Sequence, residues 1–229
     1  MEIGKRYRIR GMASIVAAAA MICLFAGTSH ADAAKGKSIF DGAKCGDCHQ
    51  MKGPATEKTF ADQLSKKGPE LWYAGSKFNQ KWLEDWMVNP TIIRMLKYNS
   101  AAEKNPGNHP KLSASDSKEV ASYLVTLKSD AVKTGLVKPA NSPMARLNFT
   151  KKSGCIGCHA INQSGKTIGG VSGPDLSDAG ERLNGDWVFA YLMNPEVFKP
   201  VKRMPIFVGI IGESDMKSLA AYVASQKSK

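Results

Sequence analysis

Histidine and cysteine, the residue types best suited to bind a metal or a redox group, are concentrated at two places in this chain. Residues 45–49 read Cys-Gly-Asp-Cys-His, and residues 155–159 read Cys-Ile-Gly-Cys-His. The only other cysteine is Cys23, near the N-terminus, and the other histidines are His30 and His109. Both cysteine pairs therefore have the same spacing, and each is followed at once by a histidine.

A Cys-x-x-Cys-His sequence is the pattern that attaches haem covalently. Two intervening residues place the sulfur atoms about one helical turn apart, so that both thiols can form thioethers at one porphyrin edge. The adjacent histidine is then carried beneath the ring, where its imidazole can bind iron. The sequence predicts two covalent haem c groups, bound through Cys45, Cys48 and His49 and through Cys155, Cys158 and His159.

Cysteine pairs have three other uses in proteins. Disulfides suit an exported chain, but they do not require a histidine after each pair. A thioredoxin-type redox pair belongs in a βαβ context, which the sequence does not indicate. A four-cysteine zinc site would leave both histidines without a role.

The first 31 residues are typical of an export signal. Four basic residues precede an apolar run over 12–27, and small residues, Ser29 and Ala31, stand where a signal peptidase reads. An uncleaved N-terminal anchor is the alternative, although the run is shorter than the roughly 20 residues of a membrane span. We therefore expect an exported protein in the periplasm or an equivalent compartment.

The chain is basic, with a formal net charge of +12 at pH 7. Removing residues 1–31 takes away four basic residues and one acidic residue, leaving 28 Lys+Arg against 19 Asp+Glu, a formal +9. Such a surface favours redox protein partners with acidic docking surfaces, and association with a negative membrane surface is possible. Export argues against nucleic acid as a partner.

An internal repeat runs through the remaining chain. The matching segments keep their order, and they are Gly68-Pro69-Glu70-Leu71 with Gly173-Pro174-Asp175-Leu176, Trp82 with Trp187, Asn89-Pro90 with Asn194-Pro195, and Arg94-Met95 with Arg203-Met204. This duplication predicts a first domain over 32–133, a linker over 134–142 and a second domain over 143–229.

Each copy reads as all-α. Helices are predicted at about 35–45, 80–88 and 116–128 in the first copy, and at about 144–155, 185–193 and 215–226 in the second. Proline ends the middle helix of each copy, because it disfavours helix in the residue before it. Ser115 and Ser214 are the predicted N-caps of the last helices.

These motifs together resemble class I c-type cytochromes over nearly the whole mature chain. The resemblance implies two tandem cytochrome c-like domains, each a few helices wrapped around one covalent haem. It implies His49 and His159 as proximal iron ligands, with Met95 and Met204 as distal ligands. It also implies that the carbonyl groups of Pro69 and Pro174 accept the imidazole N–H, that Phe40 packs on Tyr123 and Phe149 on Tyr222, and that Trp82 and Trp187 line the haem pockets.

The distal ligand of the first haem is left open by the sequence. Leu96 follows Met95, whereas Pro205 follows Met204, and the loop that leads to Met95 is the shorter of the two. His109 lies in Asn105-Pro106-Gly107-Asn108-His109-Pro110, which is typical of an exposed turn. A surface histidine and a ligand that replaces Met95 are the two interpretations of His109.

Electron transfer without substrate turnover is the predicted function, because histidine and methionine together would leave no open site on iron for a small molecule. The main alternative is a haem-bearing subunit of a larger oxidoreductase complex. A dihaem peroxidase would need a haem that peroxide can reach, and a haem-based gas sensor would bind carbon monoxide when reduced.

Overall fold

The structure, a computed structural model, describes Met1 and residues 31–228. The first half of the described chain contains α1 (Ala33–Gly42), α2 (Phe60–Ser65), α3 (Ala74–Lys77), α4 (Gln80–Val88) and α5 (Ala114–Leu124). The second half contains α6 (Pro143–Leu147), β1 (Ile161–Gln163), β2 (Lys166–Ile168), α7 (Ala179–Arg182), α8 (Gly185–Met193), α9 (Pro195–Phe198) and α10 (Glu213–Val223). The predicted export signal and its alternative as an anchor lie outside the described residues. Within the described part, no helix has both the length and the apolar character that a bilayer crossing requires.

The middle helices α4 and α8 have the bounds expected from the sequence, while the others begin or end earlier. Helix α1 ends at Gly42, before the cysteines, and α6 ends at Leu147, where a π-helical turn over 148–152 continues the chain. Ser113, not Ser115, caps α5, because its hydroxyl accepts the N–H of Asp116. Gly212, not Ser214, precedes α10. The predicted N-caps were therefore wrong by two residues in both copies.

In each half the segment before the cysteines crosses the last helix, and an aromatic pair packs at the crossing. Phe40 on α1 meets Tyr123 on α5 with ring centroids 5.6 Å apart, and Phe149 meets Tyr222 at the same distance. This pairing confirms the expected packing. Gly36 lies at the α1–α5 crossing, where a side-chain carbon would overlap the carbonyl group of Glu119.

The small antiparallel sheet was not expected. Strands β1 and β2 pair Ile161 with Ile168 across a two-residue turn. Ser164 and Gly165 form that turn with positive φ angles of 47° and 86°. Positive φ at both central residues gives a turn whose twist matches that of the strands. The Ser-Gly dipeptide was the local signal for this hairpin.

The two halves meet through a pair of reciprocal contacts. Phe78 and Leu183 form an antiparallel bridge between them. The Asn79 N–H donates to the carbonyl of Arg182 (3.0 Å), and the Asn184 N–H donates to the carbonyl of Lys77 (2.8 Å). Lys77 and Arg182 occupy the same place in the repeat, as do the two asparagines. The junction is therefore nearly two-fold symmetric and uses the same short segment from each half.

A buried ion network provides a second junction. The Glu70 carboxylate is fully buried and accepts from Lys66 (2.8 Å) in its own half and from Lys199 (2.6 Å) in the other half. Tyr98 donates to the same carboxylate and also bonds Lys199. Lys66 also pairs with Glu57, so two lysines from different halves and two carboxylates form one network.

The segment predicted as a linker is bound to the second half. The N–H groups of Gly135, Leu136 and Val137 donate to the buried carboxylate of Asp186 at 2.6, 2.9 and 2.7 Å. Ala140 N–H donates to the carbonyl of Ala221 (3.0 Å). Asp186 stands in the first turn of α8 and therefore fixes the path by which the chain enters the second half.

Candidate functional site

Each Cys-x-x-Cys-His segment folds as one tight turn. The residues Cys45–Asp47 and Cys155–Gly157 form 3-10 turns, and the histidine N–H closes each turn on the carbonyl of the first cysteine, at 3.1 Å for His49 and 3.0 Å for His159. All four cysteines described are free thiols. One turn therefore presents two thiols and an imidazole together, twice in the chain.

Both imidazole rings are oriented by a proline carbonyl. The Nδ1–H of His49 donates to the carbonyl oxygen of Pro69 (2.8 Å), and that of His159 donates to Pro174 (2.7 Å). A carbonyl oxygen can only accept, so Nδ1 carries the proton in each ring and Nε2 is left as the nitrogen able to bind a metal. Such a second bond fixes the orientation of a ligating histidine and raises its basicity.

The glycine before each proline gives the imidazole its space. A side-chain carbon at Gly68 would lie 2.9 Å from Cε1 of His49, and one at Gly173 would lie 2.6 Å from Cε1 of His159. The leucine that ends each motif donates its N–H to the chain just after the histidine, at 2.9 Å in both halves. Gly-Pro-(Glu/Asp)-Leu is therefore a clamp for the histidine.

The pKa of the imidazole, and that of the first thiol, each shift in the same direction at the two sites. Burial lowers the pKa of His49 and of His159, and the proline carbonyls oppose this only in part. Both imidazoles are thereby favoured in the neutral form, which is the form that binds metals. Burial raises the pKa of the Cys45 thiol, and it raises that of Cys155 to about 11.

The tryptophans expected to line the pockets differ in their surroundings. Trp82 stacks on Phe78 and on Trp86, each with centroids 5.5 Å apart, within the first half. Trp187 is buried and lies parallel to Tyr73 of the first half, with centroids 6.1 Å apart. Trp187 therefore stands at the boundary between the halves, which its place in the repeat did not indicate.

Several buried donors near this boundary have no acceptor among the described residues. They include the indole N–H groups of Trp72 and Trp187 and the Nε–H of Arg94. Arg94 also helps to lower the pKa of His159 by charge repulsion, which places its guanidinium near the second site. Burial lowers the pKa of Lys77, which lies over the Trp187 ring, to about 7. A haem brings two propionate carboxylates, which are acceptors of the kind these donors lack, so the residues present fit the group.

The expected distal ligands are placed differently in the two halves. Met204 is partly buried, in a loop that is bound to the first half because Arg203 donates to the Ser100 carbonyl (2.9 Å). Met95 is 48% exposed. The ring of His109, in contrast, lies 6.1 Å from the ring of His49 between centroids.

Comparison with known protein families agrees with this geometry. The cytochrome c family profile matches twice, over residues 33–128 and 148–227. The comparisons with curated proteins and with solved structures gave no match. Cytochrome c domains bind haem covalently and transfer electrons, and each matched region contains one of the two histidine clamps. The chain therefore belongs to the cytochrome c family and consists of two tandem cytochrome c domains.

Proposed function

We propose that this protein is an exported dihaem cytochrome c that carries electrons between redox partners in the periplasm and does not itself turn over a substrate. The observation that carries the proposal is the doubly built proximal site, in which two thiols, one oriented imidazole and one proline carbonyl recur with distances that agree to within about 0.1 Å. A haem bound at each site supplies reversible one-electron exchange at its iron.

The chain's own residues prepare each site for this exchange. The cysteine pairs of residues 45–48 and 155–158 would hold the haem permanently, so that it could not be lost outside the cytoplasm. His49 and His159 would bind iron through Nε2, because Nδ1 is engaged by a proline carbonyl. Met204 would complete the second site. Two axial ligands on each iron would exclude peroxide and other small molecules, which opposes the peroxidase alternative.

The contacts between the domains favour transfer within one molecule. The loop that leads to Met95 binds the proline loop of the other domain, because the Ile93 carbonyl accepts the Asp175 N–H (2.8 Å) and Arg94 donates to the Ser172 carbonyl (3.4 Å). In return, Lys199, before Met204, binds Glu70, which follows Pro69. Each Arg-Met loop thus contacts the other domain's proximal clamp, so the two sites are held in a fixed relation.

The surface charge suggests the kind of partner. A formal +9 on the chain after residue 31 favours proteins with acidic docking surfaces, and it also permits association with a negative membrane surface. A small-molecule substrate and a nucleic acid partner are not part of the proposal.

The test is to purify the natively matured protein, weigh it and titrate it with a reductant while its absorption is recorded. We expect a mass increase of two haems, low-spin spectra at both sites, slow or absent cyanide binding, and two distinct reduction steps. A mass equal to that of the amino acids alone would disprove the proposal. A high-spin ferric haem that binds cyanide rapidly would favour the peroxidase, and co-elution with a catalytic subunit at high salt would favour the subunit alternative.

A further inference from the structure

We propose that His109, and not Met95, is the second axial ligand of the haem in the first domain, so that the two haems of this chain have different ligand sets. The inference rests on the proposed function, since it requires a covalent haem at His49.

The distance between the imidazoles of His49 and His109 supports this proposal. The rings of His49 and His109 have centroids 6.1 Å apart, with an angle of 52° between their planes. A metal–imidazole bond is about 2 Å long, so two rings that bind one metal from opposite sides have centroids about 6 Å apart. The two histidines are thus separated by the distance that one shared iron requires.

The hydrogen bond that His109 makes also supports it. Its Nδ1–H donates to the carbonyl oxygen of Pro110 (2.8 Å), which leaves Nε2 able to bind a metal. His49 and His159 are oriented in the same way, each by a proline carbonyl at 2.8 and 2.7 Å. A bond of this kind is the usual partner of a metal-ligating histidine.

His109 stands on a segment that contacts α4 and leads into α5. Its ring packs against Trp86 of α4 with centroids 4.7 Å apart. Three residues later, the Leu112 N–H donates to the carbonyl of Met87 on the same helix (2.9 Å), and Ser113 then caps α5. The segment between α4 and α5 is therefore fixed on both sides of the imidazole.

Met95 and His109 differ when each is compared with Met204. Met204 is followed by Pro205 and is partly buried, and His109 is likewise followed by a proline. Met95 is followed by Leu96 and is 48% exposed, with its carbonyl accepting the Asn105 N–H (2.8 Å) in a small loop closed by the Leu96–Lys104 bridge. His109 is exposed, as Met95 is, so its likeness to Met204 lies in the proline that follows it and not in burial.

The consequence is a difference between the two potentials. Methionine raises the reduction potential of a haem relative to a second nitrogen ligand. The first-domain haem is then the one of lower potential, and electrons in this chain run from the first domain to the second.

The test uses the weak absorption band near the red end of the spectrum that ferric haem shows only with methionine on iron. With His109 as ligand, the band has the intensity of one methionine for two haems, Met204→Ala abolishes it, and Met95→Ala leaves it at full strength. A loss of half the band in each of these two variants would overturn the proposal.

Two further variants and one control separate the possible failures. His109→Ala should allow carbon monoxide to bind one of the two reduced haems, while His109→Met should double the band. Carbon monoxide binding by Met95→Ala, with none by His109→Ala, would overturn the assignment. The mass of each variant is measured first, because the absence of covalent haem contradicts the proposed function itself. Two haems, with half of the band lost in each methionine variant, contradict only the assignment of His109 as the ligand.

Discussion

The two domains are nearly identical on the proximal side of their sites and differ at several of the residues by which they contact each other. The turn, the imidazole, the proline carbonyl and the glycine repeat closely, since any change there would displace the imidazole. Positions that face the other domain have diverged. Glu70 binds cations from both domains. The carboxylate of its counterpart Asp175 accepts only the N–H of Ser177 (2.7 Å). Duplication has thus preserved the proximal site twice, while the buried ion network at the junction uses residues that do not repeat.

The largest difference between the domains should appear at this acid. Loss of the Glu70 charge would leave Lys199 without its carboxylate, while Lys66 would keep Glu57, and breaking a buried ion pair costs about 3–5 kcal/mol. We therefore expect Glu70→Gln to lower the free energy of unfolding of the holoprotein by that amount, measured by denaturant titration. Asp175→Asn is the matched control and should cost much less. Equal losses in the two variants would contradict the asymmetry.

The acid limb of stability should depend on the same residue. Burial raises the pKa of Glu70, but the charge and hydrogen bonds of Lys199 and the hydrogen bond of Lys66 outweigh it and lower the pKa from 4.5 to about 2. A carboxylate with a depressed pKa stabilises the fold above pH 4.5, and this contribution, roughly 3 kcal/mol, is lost as the pH falls toward 2. The free energy of unfolding, measured across this pH window, should fall more steeply for the wild type than for Glu70→Gln. Parallel curves would show that Glu70 is not the titrating group responsible.

A smaller effect should distinguish Asp186 from Lys81, which share a position in the repeat. Asp186 is buried and accepts three backbone N–H groups, whereas Lys81 is exposed and only pairs with Asp85 one turn along α4. Hydrogen bonds to a charged group are worth about 1.5–3 kcal/mol, so Asp186→Ala should cost at least this much. Lys81→Ala should cost about 0.5 kcal/mol or less. Thermal unfolding of both variants measures the contrast, and a similar cost at the two positions would sink it.

The smallest effect concerns the helix crossings. A methyl group at Gly36 would overlap the Glu119 carbonyl, so Gly36→Ala should force α1 away from α5 and cost about 1–3 kcal/mol. The second domain already has an alanine, Ala145, at the matching place. Gly42→Ala is the control, since a side-chain carbon there meets nothing within 4 Å. Chemical denaturation that found the two glycine variants equally stable would show that the crossing tolerates the methyl group.

The amino-acid sequence by itself determined the family, the duplication, the two haem-attachment motifs and the bounds of α4 and α8. These are local properties, because a cysteine–histidine spacing, an Asn-Pro stop and a repeated order of motifs are all read along the chain. The N-caps of α5 and α10 were predicted two residues late, because each stretch offers two residues able to begin a helix.

Only the tertiary structure decided which residues meet across the repeat. Glu70 with Lys199, Arg203 with Ser100, and Lys77 with Trp187 are about a hundred residues or more apart, and no local pattern links them. The same holds for His109, whose sequence is that of an exposed turn. Its place opposite His49 follows from the way α4 and α5 carry the intervening segment back over the site, because a distance between two side chains is set by the packing of the helices that hold them.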